Sequence, residues 1–260
     1  SGRMFLVMGA VSLCAGGSAL GDWQVTRLHP DGFVTSISYA TADGQQVGSY
    51  FDGGTRAALW SGTAASFMDL HPAGANYSRA LGVANGQQVG RANIGGLNRA
   101  GLWNGTAGSW VDLSTPGSMF SEAWDTDGTH QVGMLRDSNN VGRASLWSGS
   151  AASWVSLHPA GATYSEANGV ENGVQVGHAY IGGQPHASLW TGTAASWVDM
   201  HPAAADWSTV RGIGDGEHVG YAVYSDNLRR AALWTGTAAS YIRIGRPPSE
   251  QTPSPIQPFS

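Results

Sequence analysis

The sequence contains no lysine and one cysteine, and charged residues make up only 12% of its 260 residues. All thirteen basic residues are arginine, and the formal net charge is -5. Proteins that bind nucleic acid need a basic surface patch, so this composition argues against a nucleic-acid partner. Cys14 has no second cysteine to pair with, which excludes an internal disulfide and a cysteine-based metal site.

A long apolar run is also missing. The apolar core of residues 4–21 is too short to cross a membrane, so we expect no membrane span. The segment resembles the apolar region of a secretory signal, although only Arg3 precedes it. Leu13 stands where a lipobox has a small residue before its cysteine, which argues against lipidation. Two interpretations stay open, a signal-like segment and a genuine apolar strand.

Glycine and tryptophan are abundant, with 38 and 11 copies. Many glycines and aromatic residues with few charges are typical of short strands joined by tight turns. Hydrophobic residues make up 42% of the chain, which is too many for a disordered protein. The composition therefore favours an all-β fold.

One unit recurs five times along the chain. A Leu-Trp pair repeats at steps of 43 or 44 residues, a Val-Gly pair keeps the same period, and a serine stands twelve residues before each of those glycines. The tryptophans are Trp60, Trp103, Trp147, Trp190 and Trp234. The glycines are Gly48, Gly90, Gly133, Gly177 and Gly220, and the serines are Ser36, Ser78, Ser121, Ser165 and Ser208.

Each unit divides into four strands, a to d. Strand a, such as residues 77–83, ends at an Asp-Gly or Asn-Gly pair, which fits a two-residue type I′ hairpin turn. Strand b contains Gln-Val-Gly or a close variant, strand c contains Ala-x-Leu-Trp, and strand d follows the pattern Ser-Trp-Val-Asp-Leu. The five pairs are Asp43-Gly44, Asn85-Gly86, Asp127-Gly128, Asn172-Gly173 and Asp215-Gly216.

Four short antiparallel strands per repeat predict the blade of a β-propeller, in which neighbouring blades bury each other's faces. We predict an all-β propeller of five four-stranded blades, with the recurring aromatic residues packed between blades. We expect an apolar N-terminal segment at 1–21, the propeller at 22–245 and a Pro- and Ser-rich tail at 246–260.

The aromatic residue of strand d occurs six times, whereas the patterns of strands a, b and c each occur five times. Its extra copy lies in residues 22–30, and three interpretations stay open. The segment could complete a sixth blade with residues 4–14, cover the ring closure as a redundant edge strand, or pair with another molecule. The six aromatics are Trp23, Phe67, Trp110, Trp154, Trp197 and Tyr241.

The unit SRALGVANGQQVGRANIGGLNRAGLWNGTAGSWVDL resembles the HAF family of extracellular repeats. Those repeats carry a His-Ala-Phe-Leu-Trp-like strand, which is HASLW at residues 186–190 here and RAALW, RAGLW or RASLW elsewhere. The resemblance covers about residues 22–245. It implies a propeller-like fold and a secreted or cell-surface protein, and it implies no established activity.

Several repeated polar residues invite a functional interpretation, but their repetition favours structural roles. We expect the loop histidines of the His-Pro pairs to be structural, and the serines to tie strand a to a neighbouring loop. We expect the basic residue four positions before each tryptophan to pair with an aspartate of strand d or to stack on Trp. The histidines are His29, His71, His158 and His201.

Ligand contacts are expected where the repeats differ from one another. These positions directly follow the serine, lie two residues further on, or directly follow Val-Gly, and would lie near the channel if strand a is innermost. The candidate ligand-binding residues are Arg79, Glu122, Trp124, Glu166, Asn168, His178, Arg211 and Tyr221.

We interpret the chain as a non-catalytic extracellular binding or scaffold module that needs no cofactor or metal. The expected partner is a glycan, as in five-bladed lectins with similarly regular repeats, or an extracellular protein. A structural subunit that self-associates through its N-terminal strand is the alternative. A glycosidase or lyase using Glu122 and Glu166 with Arg79 and His178 is the third hypothesis.

Overall fold

The computed structural model describes residues 24–244, which form five four-stranded antiparallel sheets, so the prediction of an all-β propeller with five blades is confirmed. In chain order the strands are β1 Ser36–Ala42, β2 Gln45–Phe51, β3 Thr55–Trp60, β4 Met68–Asp69, β5 Ala75–Ala84, β6 Gln87–Ile94, β7 Leu97–Trp103, β8 Val111–Asp112, β9 Phe120–Thr126, β10 Gln131–Arg136, β11 Gly142–Trp147, β12 Val155–Ser156, β13 Ser165–Glu171, β14 Val174–Ile181, β15 Gln184–Trp190, β16 Val198–Asp199, β17 Trp207–Gly214, β18 Glu217–Val223, β19 Arg229–Trp234 and β20 Ile242–Arg243. In each sheet the strands pair in sequence order, so blade 1 is β1–β4 and blade 5 is β17–β20.

The first strand of each blade is the innermost. Strand β1 packs beside β5, β5 beside β9, β9 beside β13, and β13 beside β17, so these strands line the axis of the array. The last strand of each blade is the outer edge and has only two residues. The strand-d aromatic was predicted inside this strand, but it lies one residue before it, where it ends a one-turn 3-10 helix.

The core lies between blades. Trp103 of blade 2 is fully buried and packs against Val47, Leu59 and Leu70 of blade 1. The same arrangement recurs at each of the next three interfaces. The predicted role of the recurring tryptophans in inter-blade packing is therefore confirmed.

The two ends of the array are open. Val219 of blade 5 is 47% exposed, whereas its four equivalents, among them Val47, are fully buried by the next blade. No strand of blade 1 packs on blade 5 as the other blades pack on their neighbours, within the part of the chain that the structure describes. Within residues 24–244 the five blades thus form an array whose two end blades do not pack on each other.

The predicted extra strand at residues 22–30 is not present in its described part. Residues 24–30 form no strand. Leu28 instead packs beside Trp60, on the face of blade 1 that points away from blade 2. Trp23, the apolar segment 1–21 and the tail 246–260 lie outside the described residues, and so does the proposed strand at residues 4–14.

A His–Ser pair ties blades 2, 4 and 5 to the blade before each of them. The Ser165 hydroxyl oxygen of blade 4 accepts a 2.8 Å hydrogen bond from the Ala144 amide of blade 3. The same oxygen lies 2.8 Å from His158 Nδ1, while His158 Nε2 lies 3.0 Å from the Ala162 carbonyl. Because a carbonyl can only accept, Nε2 carries the proton and the serine donates to Nδ1.

We call this arrangement the His–Ser latch. It recurs at Ser78 and Ser208, each with its histidine and its amide from the preceding blade. His29 holds Ser36 in the same way at 2.9 Å. Blade 3 has no such histidine, and Ser121 accepts from the Ala100 amide alone. The structural roles predicted for these serines and histidines are confirmed.

The basic residue before each tryptophan pairs as predicted in two blades and differently in three. Arg99 bonds Asp112 at 3.0 Å, and His186 bonds Asp199 at 2.8 Å. The other three pair with aspartates on the loop between strands b and c: Arg56 with Asp52, Arg143 with Asp137, and Arg230 with Asp226. Within residues 24–244, no helix has the length and hydropathy that crossing a membrane requires.

Candidate functional site

The inner strands place the variable positions beside the axis. In strands β5, β9 and β13, the serine side chain points toward the preceding blade. Because side chains alternate along a strand, the residues on either side of that serine face the other way. This geometry puts Arg79, Glu122 and Glu166 on the innermost strands of three consecutive blades.

Glu122 and Glu166 are carboxylates held in a crowded site. Glu122 is 8% exposed and accepts a 3.0 Å hydrogen bond from Arg91. Burial raises its pKa, while Arg91, Trp124 and Arg79 oppose that rise and the charge of Glu166 adds to it. Burial also raises the pKa of Glu166, against the lowering effects of its neighbours.

Glu166 belongs to a polar chain that runs into blade 5. It accepts a hydrogen bond from the Tyr164 hydroxyl, and its other oxygen lies 3.9 Å from His178 Nε2. His178 Nδ1 lies 3.3 Å from the Thr209 hydroxyl. Burial and the Arg211 charge lower the pKa of His178 to about 4, so this ring is neutral at physiological pH.

Aromatic rings and guanidinium groups alternate across blades 1 to 3. The Arg79 guanidinium carbon lies 5.8 Å from the Tyr39 ring centre and 5.2 Å from that of Tyr77. The Arg91 guanidinium carbon lies 5.3 Å from the centre of the Tyr77 ring. The guanidinium carbons of Arg91 and Arg136 lie 5.9 and 5.6 Å from the centre of the Phe120 ring. We call these six side chains the aromatic–arginine ladder: Tyr39, Arg79, Tyr77, Arg91, Phe120 and Arg136.

Blade 5 carries a shorter group of the same kind. Arg229 lies 5.7 Å from the Trp207 ring and 5.1 Å from the Tyr221 ring, and Arg211 lies 5.8 Å from Tyr221. Arg211 also donates a 3.3 Å hydrogen bond to the Tyr221 hydroxyl. Arginines that lie over aromatic rings therefore occur both in blades 1 to 3 and in blade 5.

The structure brings most of the sequence-predicted residues together. The charges of Arg79 and Glu166 act on Glu122. The charge of Arg211 acts on both Glu166 and His178. Trp124 belongs to this group through its effect on the pKa of Glu122. The members are Arg79, Glu122, Trp124, Glu166, His178, Arg211 and Tyr221.

Asn168 has a different surrounding. Its amide nitrogen donates a 2.7 Å hydrogen bond to the Val210 carbonyl, which joins strand β13 to strand β17. The strand pairing shifts register between residues 167 and 169, so alternation does not fix the direction of this side chain. The sequence alone therefore did not show that this amide links two blades.

Residues that the sequence analysis passed over complete the site: Tyr77, Phe120, Arg136 and Tyr164. A signal for three of them was present, since an aromatic residue directly precedes the serine in four of the five repeats. Arg136 follows Met134 by two residues in strand β10 and therefore shares its face. It stands three positions after the glycine of Val-Gly, whereas the predicted candidates of strand b directly follow that glycine.

Comparison with known proteins identifies the fold. No protein-family model matches the chain, and no curated protein matches it. The chain is similar to a puromycin hydrolase mutant complexed with PGG, at a TM-score of 0.59 and 11% identity over 84% of this chain and 39% of that one. It is similar to the β-propeller domain of the Trilobed protease from Pyrococcus furiosus, at 0.55 and 13% identity over 76% of this chain and 64% of that one.

A putative TolB from Agrobacterium tumefaciens is also similar, at a TM-score of 0.56 and 13% identity over 81% of this chain and 80% of that one. Similarity at such identities shows the β-propeller fold alone. The chain spans under two thirds of the hydrolase and of the protease domain. The propeller fold implied by the HAF resemblance is confirmed, whereas the HAF family itself is not shown.

Two cavities lie away from the inner strands. One, of about 380 Å³, is lined by the loop at residues 114–119, where the His-Pro pair is replaced, and by residues 97–99. The other, of about 440 Å³, lies near the outer edge of blade 5, where Tyr224 bonds Tyr241 and Arg230 pairs with Asp226.

Proposed function

We propose that this propeller is a non-catalytic binding module that holds a glycan at the axis-facing surface of its inner strands. The observation that carries the proposal is the aromatic–arginine ladder, whose three arginines and Tyr39 stand at positions that differ among otherwise regular repeats. Tyr39 is 39% exposed, so its ring is accessible to a ligand. The proposed ligand-binding residues are Arg79, Glu122, Trp124, Glu166, His178, Arg211 and Tyr221.

Sugar rings present apolar faces and polar edges, and the site offers a partner for each. Aromatic faces stack on the apolar faces, while guanidinium and carboxylate groups bond hydroxyls at the edges. The amide of Asn168 is occupied by the Val210 carbonyl, so we leave this residue out of the proposed contacts. A glycan on the outside of cells fits the secreted or cell-surface location that we propose, and an extracellular protein is the other ligand class.

We propose no catalytic step because the two candidate carboxylates already have partners. Acid–base hydrolysis needs one carboxyl group free to give a proton and another free to attack or to activate water. Glu122 is bound to Arg91, and Glu166 is bound to Tyr164.

A glycan array followed by calorimetry tests the proposal. The wild type should bind one class of glycan, and the glycan should be recovered uncleaved. Tyr77→Leu should weaken binding by about tenfold, since it removes the central ring of the ladder. Tyr224→Leu, at the outer end of blade 5, is the matched control and should bind as the wild type does. The absence of any hit at millimolar sugar would contradict the proposal.

A second function, as a subunit of an assembly, is favoured by the open ends of the array. In blades 1 to 4, one face packs against the following blade. The equivalent face of blade 5 carries residues of the same types, but its Val219 and Ile244 are 47% and 51% exposed. Ser36 of blade 1 is already held by His29, as the latching serines are. We propose that blade 1 of a second copy packs on blade 5, with Ser36 accepting from the Ala231 amide.

This head-to-tail contact does not use the N-terminal strand that the sequence analysis invoked. Light scattering should show association that rises with concentration, and Val219→Glu should abolish it by placing a charge in the contact. Glu substitution at Val198, which is exposed on the outer edge strand β16, is the control. A monomer at all concentrations, whether closed on itself or by residues 1–23, would overturn this second proposal.

A further inference from the structure

The charge of the site has the opposite sign to the net charge of the chain. The chain has a formal net charge of -5. Around the two buried carboxylates, however, four arginines act on or bond to them: Arg79, Arg91, Arg136 and Arg211. The site around the two carboxylates is therefore a cationic region on an acidic protein.

Two of these arginines have no anionic partner. Arg79 and Arg136 make no ion pair and no side-chain hydrogen bond within residues 24–244, and the Nε atom of each is buried without an acceptor. Aromatic rings hold both guanidinium groups in place. A partly buried, unpaired cation is costly, so such groups are expected to have a partner in the working state of the protein.

The two arginines on the Tyr77 ring differ in their acceptors. Arg79 and Arg91 are direct partners across strands β5 and β6, and their guanidinium carbons lie 5.2 and 5.3 Å from the centre of the Tyr77 ring. Glu122 bonds Arg91 directly but acts on Arg79 only through its charge. An incoming oxyanion would give Arg79 the acceptor that it lacks within the described residues.

We propose that the ligand is an acidic saccharide, whose carboxylate or sulfate groups pair with Arg79 and Arg136 while its rings stack on the ladder. This inference rests on the proposed glycan-binding function. A guanidinium group offers a planar fork of donors that matches such oxyanions. Since the ladder spans blades 1 to 3, a chain of several charged units fits the site better than one sugar.

The experiment compares acidic polysaccharides with matched neutral forms. Uronate-bearing polymers are measured before and after carboxyl reduction, and sulfated polymers before and after desulfation, so the two arms separate the two oxyanions. We expect the acidic forms to bind and the neutral forms to lose most of their affinity. Binding should weaken as salt is raised, because screening shortens the reach of the charges.

Variants test the named residues. Arg79→Gln and Arg136→Gln should each weaken binding of the acidic polymer by about tenfold or more, the loss expected for a charge-assisted contact. Arg243→Gln makes the same charge change on the outer edge strand β20 and should leave binding unchanged. The salt dependence of the wild type is a readout that needs no variant, should either substitution prevent folding.

The outcomes separate the two proposals. Equal binding of neutral and acidic forms, with no effect of salt, overturns the inference about charge and leaves the glycan-binding function standing. Failure of both forms to bind, together with an empty glycan array, overturns the function itself. Binding that is lost equally in Arg243→Gln and Arg79→Gln contradicts the assignment of the two arginines.

Discussion

The glycine of each Val-Gly pair has no room for a side chain. A Cβ atom at Gly177 would lie 2.0 Å from the Glu166 carbonyl oxygen, and one at Gly90 would lie 2.0 Å from the Arg79 carbonyl oxygen. Strand a bulges opposite this position, which brings its backbone against strand b. The glycine thus sets the path of the strand that carries Arg79 and Glu166.

Gly177→Ala should lower the free energy of unfolding by about 3 kcal/mol or more, because the backbone of strand β13 must move. Chemical denaturation measures the change. Gly108→Ala is the control, since no atom lies within 4 Å of a Cβ there and the other four repeats have alanine at this place. Equal stability of the two variants would contradict the close approach of the strands.

Asp125 is the second residue whose surroundings predict a measurable effect. It stands on innermost strand β9, where its carboxylate accepts a 3.0 Å hydrogen bond from the Val170 amide of blade 4. Burial raises its pKa to about 6. The folded state therefore binds the proton more tightly than the unfolded state, and this group makes the fold less stable as pH rises from about 4 to 6.

Asp125→Asn should stabilise the protein above pH 6 and have little effect at pH 4, since the amide oxygen still accepts from Val170. The gain at pH 7 is at most about 3 kcal/mol. Because burial of His178 gives the wild type an opposite trend at acid pH, the measurement is the difference between the two proteins at each pH. A difference that does not change with pH would disprove the raised pKa.

The sequence singled out candidate site residues but not their contacts. Arg79, Glu122 and Glu166 are candidates because they stand at one place in a regular repeat where the residues differ. The stacking of Arg79 and Arg91 on Tyr77 was not found, because it joins strands a and b across a bulge whose register the sequence does not state. The HAF resemblance could not help here, since it implies no activity or ligand.

At the level of elements, the hairpin turns follow the predicted type in four blades. Asp43, Asn85, Asn172 and Asp215 have φ between 49° and 53°, and the glycines after them are also positive, as type I′ turns require. The prediction is wrong for Asp127, which does not have a positive φ. Strand a of this blade has one residue fewer between its serine and the Asp-Gly pair than in the other blades. The Asp127 carboxylate instead accepts hydrogen bonds from the Thr129 and His130 amides of a four-residue loop.

The His–Ser latch is the element that joins one blade to the next. Ser165→Ala should lower the free energy of unfolding by about 1–3 kcal/mol, because the buried Ala144 amide loses its acceptor. Ser148→Ala, at an exposed serine of the same blade pair, should change stability by less than about 0.5 kcal/mol. Thermal and denaturant unfolding compare the two, and equal losses would contradict the role of the latch.

At the level of the whole molecule, the blades are joined only to their neighbours. Four interfaces bury the same residue types, and the two end faces lack a partner within residues 24–244. In such an array the end blades are expected to open more readily than the middle ones. Blade 5 should open first, because its valine and isoleucine are exposed.

Hydrogen exchange in dilute solution measures this difference. The Ala231 amide of blade 5 should exchange faster than its equivalent Ala144 by about three orders of magnitude or more, since Ala144 donates to a buried serine. If two copies pack head to tail, protection of Ala231 should rise with protein concentration. Equal protection of both amides at low concentration would show that the array is closed in solution.

The repetition of one interface has a consequence for the gene that encodes it. Recombination between misaligned repeats adds or removes whole multiples of one unit, and each product rebuilds the same contacts on both sides of the junction. The number of blades can therefore change without any new packing being invented. The residues that differ between blades travel with them, so such exchanges would reshuffle the order of arginines and aromatic rings along the axis while the scaffold stays the same.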